Sequence, residues 1–403
     1  MSTREKSTAP VSDAGRWMRN AVVAVFFVQG FLFASWTAHI PHVKDHLHLG
    51  DGSLGIALLG APIGSMLAML AVSRLLPTFG SRRVVRVALV GYCLAGPVVG
   101  LSTSLITFFL AFLLWGIFQG SLDVSMNAQA IAVEGRVGRR LMPGFHGSWS
   151  MGSLAGAGVG VLGVGLGWSL SEQLLIFAAP SLLVVGWLST RMIPNDQARV
   201  GGSAGLSERT RGRLLQKALV VLAAIAFADM FCEGAVADWT AVYLHGTLHT
   251  SAVVAGLGYA AYLLVMMTVR LLGNQVMNRF PVYFALPLLA IVGTVGLGVG
   301  LLINRPASVL VGFMCLGAGL ALVVPMVFSA CGHISHVHPG TAVAAVSACG
   351  WTGFVVGPPL IGAIASLTSL RTALLLLPLL SAVVVAATGT ARVLRREREV
   401  PTP

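Results

Sequence analysis

Residues 191–217 read RMIPNDQARVGGSAGLSERTRGRLLQK, and their reading decides the fold. From about Pro194 to Gln216 they form the longest polar interruption in a chain that is 56% hydrophobic and only 10% charged. Arg199, Arg209, Arg211 and Arg213 stand in this interruption beside Gly201-Gly202, a composition that cannot sit in hydrocarbon. Six long apolar stretches precede it, at about 21–40, 53–76, 84–102, 105–133, 142–167 and 172–190. Six more follow, at about 218–244, 252–277, 282–303, 306–332, 340–366 and 370–391. A helix rises ~1.5 Å per residue and the hydrocarbon layer is ~30 Å thick, so each stretch is long enough to cross once. We number them spans 1 to 12.

The cations sort by gap. Arg4, Lys6, Arg16 and Arg19 precede span 1, and Arg74, Arg82, Arg83 and Arg86 surround the gap between spans 2 and 3. Arg136, Arg139 and Arg140 follow span 4, and the opening stretch adds Arg191 and Lys217 to its four arginines. Arg270 and Arg279 end span 8, and Arg392, Arg395, Arg396 and Arg398 lie in the tail. Of the 26 Lys and Arg, only Lys44, Arg305 and Arg371 fall in the alternate gaps. Lys and Arg resist translocation, so this asymmetry predicts a multi-pass protein of the cytoplasmic (inner) membrane with both termini in the cytoplasm.

Composition excludes several classes. A soluble domain carries about 25% charged residues, well above the value here. The net charge of +12 is accounted for by cations dispersed over short loops, so no nucleic-acid partner is expected. The first twenty residues are polar and charged, which does not read as a cleaved signal peptide. Cys93, Cys232, Cys315, Cys331 and Cys349 all fall inside apolar spans and read as packing residues. His39, His42, His46 and His48, and likewise His333, His336 and His338, cluster at span ends and read as wetted loop faces rather than metal sites. No nucleophile–base pair, metal-ligand set or phosphate-binding loop is present, so neither an enzyme nor a cofactor is expected.

The two sets of six spans echo each other. Ser35-Trp36-Thr37-Ala38 parallels Asp238-Trp239-Thr240-Ala241, and Leu54-Gly55 parallels Leu257-Gly258 in the same frame. Gly152-x-x-x-Gly156 in span 5 likewise parallels Gly353-x-x-x-Gly357 in span 11. Six crossings return the chain to its starting side, so the repeat is parallel and predicts two pseudo-symmetric six-helix bundles of an all-α membrane protein, the major facilitator fold. The expected division is a tail at 1–19, a bundle at 20–192, a linker at 193–216, a second bundle at 217–392 and a tail at 393–403. Gly152, Gly156 and Gly160 share one face, which predicts close helix packing, with rocking of the bundles against each other as a second use.

A carboxylate in hydrocarbon is costly and usually faces a cavity. Asp123 in span 4 and Glu233 in span 7 fall close to the midplane, with Asn127 one turn from Asp123 and Asp229 one turn from Glu233. Asp123 and Glu233 are therefore candidates for a proton-responsive site, joined by Asp229 and by His146 at the start of span 5. Each acid can alternatively serve only as a hydrogen-bond partner for a neighbouring helix. Asp238 reads as a wetted residue of the outer mouth or a structural ligand. Arg270 recurs from the Arg74-Leu75-Leu76 pattern about two turns deeper in its span; a structural ion pair with Asp229 is expected, and binding of a substrate anion is the alternative. Gln29, Trp36, Asn127, Trp149, Trp239 and Asp238 are candidates for contact with a solute, Trp239 facing Gln29 and Trp36 from the other half. Aromatic faces among amides and carboxylates suit sugars, cyclitols, their amino-substituted forms, or lipophilic cations.

Gly120-Ser121-Leu122-Asp123-Val124-Ser125-Met126-Asn127 resembles the fourth span of fucose-permease-type sugar:proton symporters, which reads G-x-L-E-x-x-x-N. Phe145-His146 ahead of Gly152-x-x-x-Gly156 resembles their fifth span, where an amide usually replaces the histidine. His146-Gly147-Ser148-Trp149-Ser150-x-Gly152 together with Glu233-Gly234-Ala235-x-Ala237-Asp238-Trp239 is similar to the MosC/YbjJ-like branch of the major facilitator superfamily. This resemblance runs over about residues 20–392. It implies a secondary transporter in which Asp123 is the fourth-span acid and Asn127 its amide. Fucose-permease relatives also carry an acid in span 1, where this chain has only Gln29, and Glu233 is placed to fill that role from the other half. The superfamily loop G-x-x-x-D-R-x-G-R-R is reduced to Arg74 and Gly80-Ser81-Arg82-Arg83. The Gly-Pro expected in span 5 of drug antiporters occurs instead as Gly357-Pro358 in span 11. The expected activity is alternating-access, proton-coupled movement of a small sugar- or cyclitol-type solute by a monomer in the lipid bilayer. A proton-driven exporter of drugs or secondary metabolites and a non-transporting membrane sensor are the alternatives.

Overall fold

The computed structural model describes residues 13–137, 141–194, 217–279, 282–331 and 339–390. Residues 195–216 of the linker, residues 1–12 and 391–403 of the tails, and His333, His336 and His338 lie outside these residues, while 13–19, expected as tail, belong to the first helix. Among the described residues there are helices and no strands, and they trace twelve crossings where the apolar stretches predict them. Spans 3 to 6 are Ser81–Val99, Leu105–Val137, Met142–Gly165 and Leu170–Ser189. Spans 7, 8, 9 and 11 are Lys217–Val242, Ala252–Arg279, Val282–Ile303 and Pro339–Leu367.

The other four spans are broken helices, and prolines place the breaks. Span 1 runs Asp13–Ser35, passes through a 3-10 turn at Thr37–His39, and ends as Ile40–His46 with Pro41 at its start. Span 2 is Asp51–Leu58 then Gly60–Phe79, broken just ahead of Pro62. Span 10 is Pro306–Leu320 then Val323–Cys331, broken ahead of Pro325. Span 12 is Leu370–Leu374 then Leu376–Thr390, broken ahead of Pro378. A proline has no N–H to return to the carbonyl four residues earlier, so the helix opens at that point.

Spans 1 to 6 pack on one another, as do spans 7 to 12, with span 5 laid along span 1 and span 11 along span 7. Gly152, Gly156 and Gly160 make the first contact possible, since a Cβ on any of them would run into the carbonyl of Phe27, Phe31 or Ser35. That glycine face is therefore used inside the first bundle, against span 1, and not at a surface on which the bundles could rock. Lipid gives no apolar driving force for such packing, so the close fit itself must supply the dispersion energy. Cys93, Cys232 and Cys331 are buried and Cys315 and Cys349 half-buried, all as free thiols.

The bundles meet through spans 2 and 11 and, in the symmetric position, through spans 5 and 8. Span 11 rests on the short first helix of span 2, Asp51–Leu58, and hardly on the rest of it. Gly55 and Gly362 approach across this seam, and Gly256 of span 8 lies against Ala38 and Val161 in the other. The loop end of span 7 adds His245, 3.9 Å from Asp45. All of these crossings lie at the end of the molecule remote from the interruption between spans 6 and 7. His39, expected as a wetted loop residue, is buried there: its Nε2 lies 2.9 Å from Gln173 Oε1, and Gln173 donates in turn to the Ser35 carbonyl at 2.8 Å. His42, His46 and His48 are exposed.

Candidate functional site

Helical spacing aims a set of side chains from both bundles at one space. On span 1, Gln29, Phe33 and Trp36 recur at intervals of four and three; on span 4, Gln119, Asp123 and Met126 do the same. Gly116 and Gly120 adjoin these residues on the helix surface and let span 2 approach closely at Ala61 and Ser65, which line the same space. Span 7 presents Met230, Glu233 and Asp238 along one face. Together with His146 and Trp149 of span 5, Tyr259 and Arg270 of span 8, and Trp351 and Phe354 of span 11, they line a cavity of about 270 Å³ shared by the two halves.

Several of these groups are held by neighbours. The Asn127 amide donates to the backbone carbonyl of Asp123 at 2.9 Å and to its Oδ1 at 3.3 Å, which fixes the carboxylate against its own helix. Trp149 Nε1 donates to Gln29 Oε1, tying the cavity faces of spans 1 and 5 together. The Tyr92 hydroxyl donates to the Gln29 carbonyl at 3.4 Å, and Tyr92 stacks on Trp115 with centroids 5.3 Å apart. Trp36 packs at 4.7 Å on Phe112 and edge-on to Trp115, so only its rim reaches the cavity. His146 is exposed at the end nearer the chain termini, its ring edge-on to Phe26 at 5.3 Å.

Of the residues singled out from sequence, Gln29, Trp36, Asp123, His146, Trp149, Glu233, Asp238 and Arg270 line this one cavity. Three do not. Asn127 stands behind Asp123. Trp239 is 0% exposed, with its indole N–H unpartnered, and does not face Gln29 and Trp36 across the cavity. The repeat explains this: Trp36 and Trp239 occupy equivalent packing positions, and only the first reaches an edge. Asp229 is 1% exposed and lies behind the wall, one helical turn from Glu233. The expected ion pair between Asp229 and Arg270 is not formed in this structure. Arg270 Nε donates instead to the Ala321 carbonyl at 3.0 Å, and Asp229 Oδ1 has no partner. A neutral carbonyl competes here because the break in span 10 has left it free.

The sequence reading missed Tyr259, Trp351 and Phe354, which form much of the aromatic wall in the second half. Trp351 was findable: it stands two residues before Gly353 much as Trp149 stands three before Gly152. Among the described residues, Asp123, Glu233 and Asp238 have no cation within ion-pair distance, and no set of three ligating side chains is arranged for a metal ion. The cavity thus offers carboxylates from both halves, one guanidinium, and aromatic faces. Hydroxyls and ring C–H faces match these walls.

A family model, Major Facilitator Superfamily, matches residues 21–338. An uncharacterized MFS-type transporter of Yersinia pestis is 33% identical over 348 residues, covering 86% of this chain and 89% of that protein. The membrane protein MosC of Rhizobium meliloti is 32% identical over 368 residues, covering 91% and 88%. Among solved structures, the nucleoside transporter NupG superposes with a TM-score of 0.73 at 13% identity, covering 93% of this chain and 99% of that one. A bacterial homolog of the human lysosomal transporter Spinster, inward-facing and occupied, gives 0.74 at 14% identity over 97% and 100%.

Proposed function

The chain belongs to the major facilitator superfamily and is a multi-pass membrane transporter, and from that premise we propose that it moves a small polar solute of sugar or cyclitol type across the cytoplasmic membrane, coupled to protons. One observation carries this reading: Asp123 and Glu233, from opposite halves, face one cavity, and among the described residues no cation is paired to either. A carboxyl group in such a wall gains and loses its proton as the cavity is wetted and dried, so it can link proton occupancy to the movement of the two halves. The solute sits between Trp149, Trp351 and Tyr259, with its hydroxyls on Gln29, Asp123 and Glu233.

With both termini in the cytoplasm, the end at which the halves meet is the outer one, and this conformation opens inward. His146 and Arg270 then mark the cytoplasmic mouth. The chain works as a monomer, and the fully enclosed cavity arises transiently as the halves exchange their contacts. Uptake of a labelled panel of sugars, cyclitols and nucleosides into proteoliposomes, with and without a proton gradient, tests the reading. Gradient-dependent accumulation of one ring-polyol supports it. Exclusion of dyes by expressing cells, with no panel member accumulated, favours a proton-driven exporter instead.

A further inference from the structure

Three buried groups around the second-half wall have chemistry that the cavity does not use. Asp229 is 1% exposed with Oδ1 unpartnered, and the hydroxyl of Tyr262, 0% exposed on the adjacent span, is also unpartnered. Tyr262 lies within electrostatic reach of Asp229, Glu233 and Arg270. The third group is the Ala321 carbonyl. In an unbroken helix it would accept from the residue four positions on, but that residue is Pro325, which has no N–H. Arg270 fills the vacancy at 3.0 Å, from a side chain that also lines the cavity.

Arg270 therefore touches one acceptor, the neutral carbonyl freed by Pro325, and lies within electrostatic reach of a second, the Asp229 carboxyl behind the wall with its Oδ1 unpartnered. A charged Asp229 would hold the guanidinium far more strongly than a carbonyl does, since an unpaired buried charge is the costlier state. Arg270 stays on the carbonyl only if Asp229 is neutral. We propose that Asp229 carries a proton in the conformation seen here, and that Arg270 exchanges between the Ala321 carbonyl and the Asp229 carboxylate as that proton leaves and returns. The proton reaches Asp229 through Glu233, one turn away at the cavity wall, with the Tyr262 hydroxyl beside the path. Each exchange frees or binds the break in span 10 and so couples the proton to the shape of the second half. The inference rests on the proton-coupled reading above and adds to it a carboxylate that the solute never touches.

Infrared difference spectroscopy of the purified full-length protein in lipid, between acidic and alkaline buffer, reads protonated carboxyls without any solute. Asp229→Asn should remove one carboxyl component. Pro325→Ala restores a backbone N–H that competes for the Ala321 carbonyl; the released Arg270 should pair with Asp229 and convert that same component to carboxylate. Arg270→Gln removes the partner of the charged form, so the Asp229 carboxyl band should persist in alkaline buffer as well as acidic. A wild-type spectrum from Asp229→Asn overturns the proposal, and so does an unchanged component in Pro325→Ala. If Asp229→Asn does not fold, the Pro325→Ala and Arg270→Gln pair decides alone. Loss of proton dependence in Glu233→Gln and Asp123→Asn with no change in these spectra sinks this inference and leaves the broader reading standing.

Discussion

Gly55 is the most informative single position at the seam between the halves. A Cβ built there lies 2.6 Å from the Pro358 carbonyl oxygen and 3.2 Å from the Cα atoms of Pro359 and Gly362, all of them backbone of span 11. None of these can rotate away, so Gly55→Ala must push the halves apart at this end by several tenths of an ångström or more. Overpacking of this kind costs about 1–3 kcal/mol. The first bundle is spared, because the three nearest atoms all belong to the second. The penalty falls only on the conformation closed at this end, and it shifts the balance toward the opposite conformation by a factor of roughly 5–150. The assay is alkylation of Ser150→Cys, a cavity position, by an impermeant maleimide added to one membrane face, in a background lacking the five native cysteines. Gly55→Ala should raise labelling from the face nearest Gly55 and lower it from the other. Gly362→Ala should act in the same direction, and the double variant should be less than additive because one separation relieves both. Gly186→Ala, with open space around its Cβ, should change nothing. Unaltered facial preference in a folded Gly55→Ala protein would refute the argument that this seam is the closed gate.

Gln173→Leu strips the partner from His39 and from the Ser35 carbonyl in one step, and about 1–3 kcal/mol of stability should go with each group left unsatisfied; thermal unfolding in detergent measures it. Trp149→Phe keeps the aromatic face but removes the donor to Gln29 that ties spans 1 and 5 together, so about 1 kcal/mol of stability should be lost, read as a lower melting temperature in detergent. Gln129→Leu breaks the link by which span 4 holds Ser81 at 2.9 Å and the Ile193 carbonyl at 3.0 Å; the end of span 6 should then become susceptible to limited proteolysis.

Hydrophobic length and the placement of cations located all twelve crossings, because a membrane imposes both on any chain that traverses it. The broken helices were also written in the chain, since Pro62, Pro325 and Pro378 each sit just past a break. Their consequence was not legible. The open carbonyl at Ala321 draws Arg270 away from Asp229, and that choice between acceptors depends on three helices at once. The cavity faces of spans 1 and 4 follow from helical spacing, so Gln29, Trp36 and Asp123 could be placed together. Trp239 could not be separated from Trp36 by sequence, because a repeat copies residue types without copying which of them meets the cavity. His39 looked like a loop residue until span 6 supplied Gln173 to bury it.

Proton movement tied to solute movement is the most direct test. Adding the transported solute to lightly buffered, de-energised vesicles, with a pH electrode in the medium, reads the two together. A symporter that uses Asp123 and Glu233 alkalinises the medium with wild-type protein, and the Glu233→Gln, Asp123→Asn double variant does not. An equal alkalinisation from the double variant, with solute uptake intact, would contradict the account.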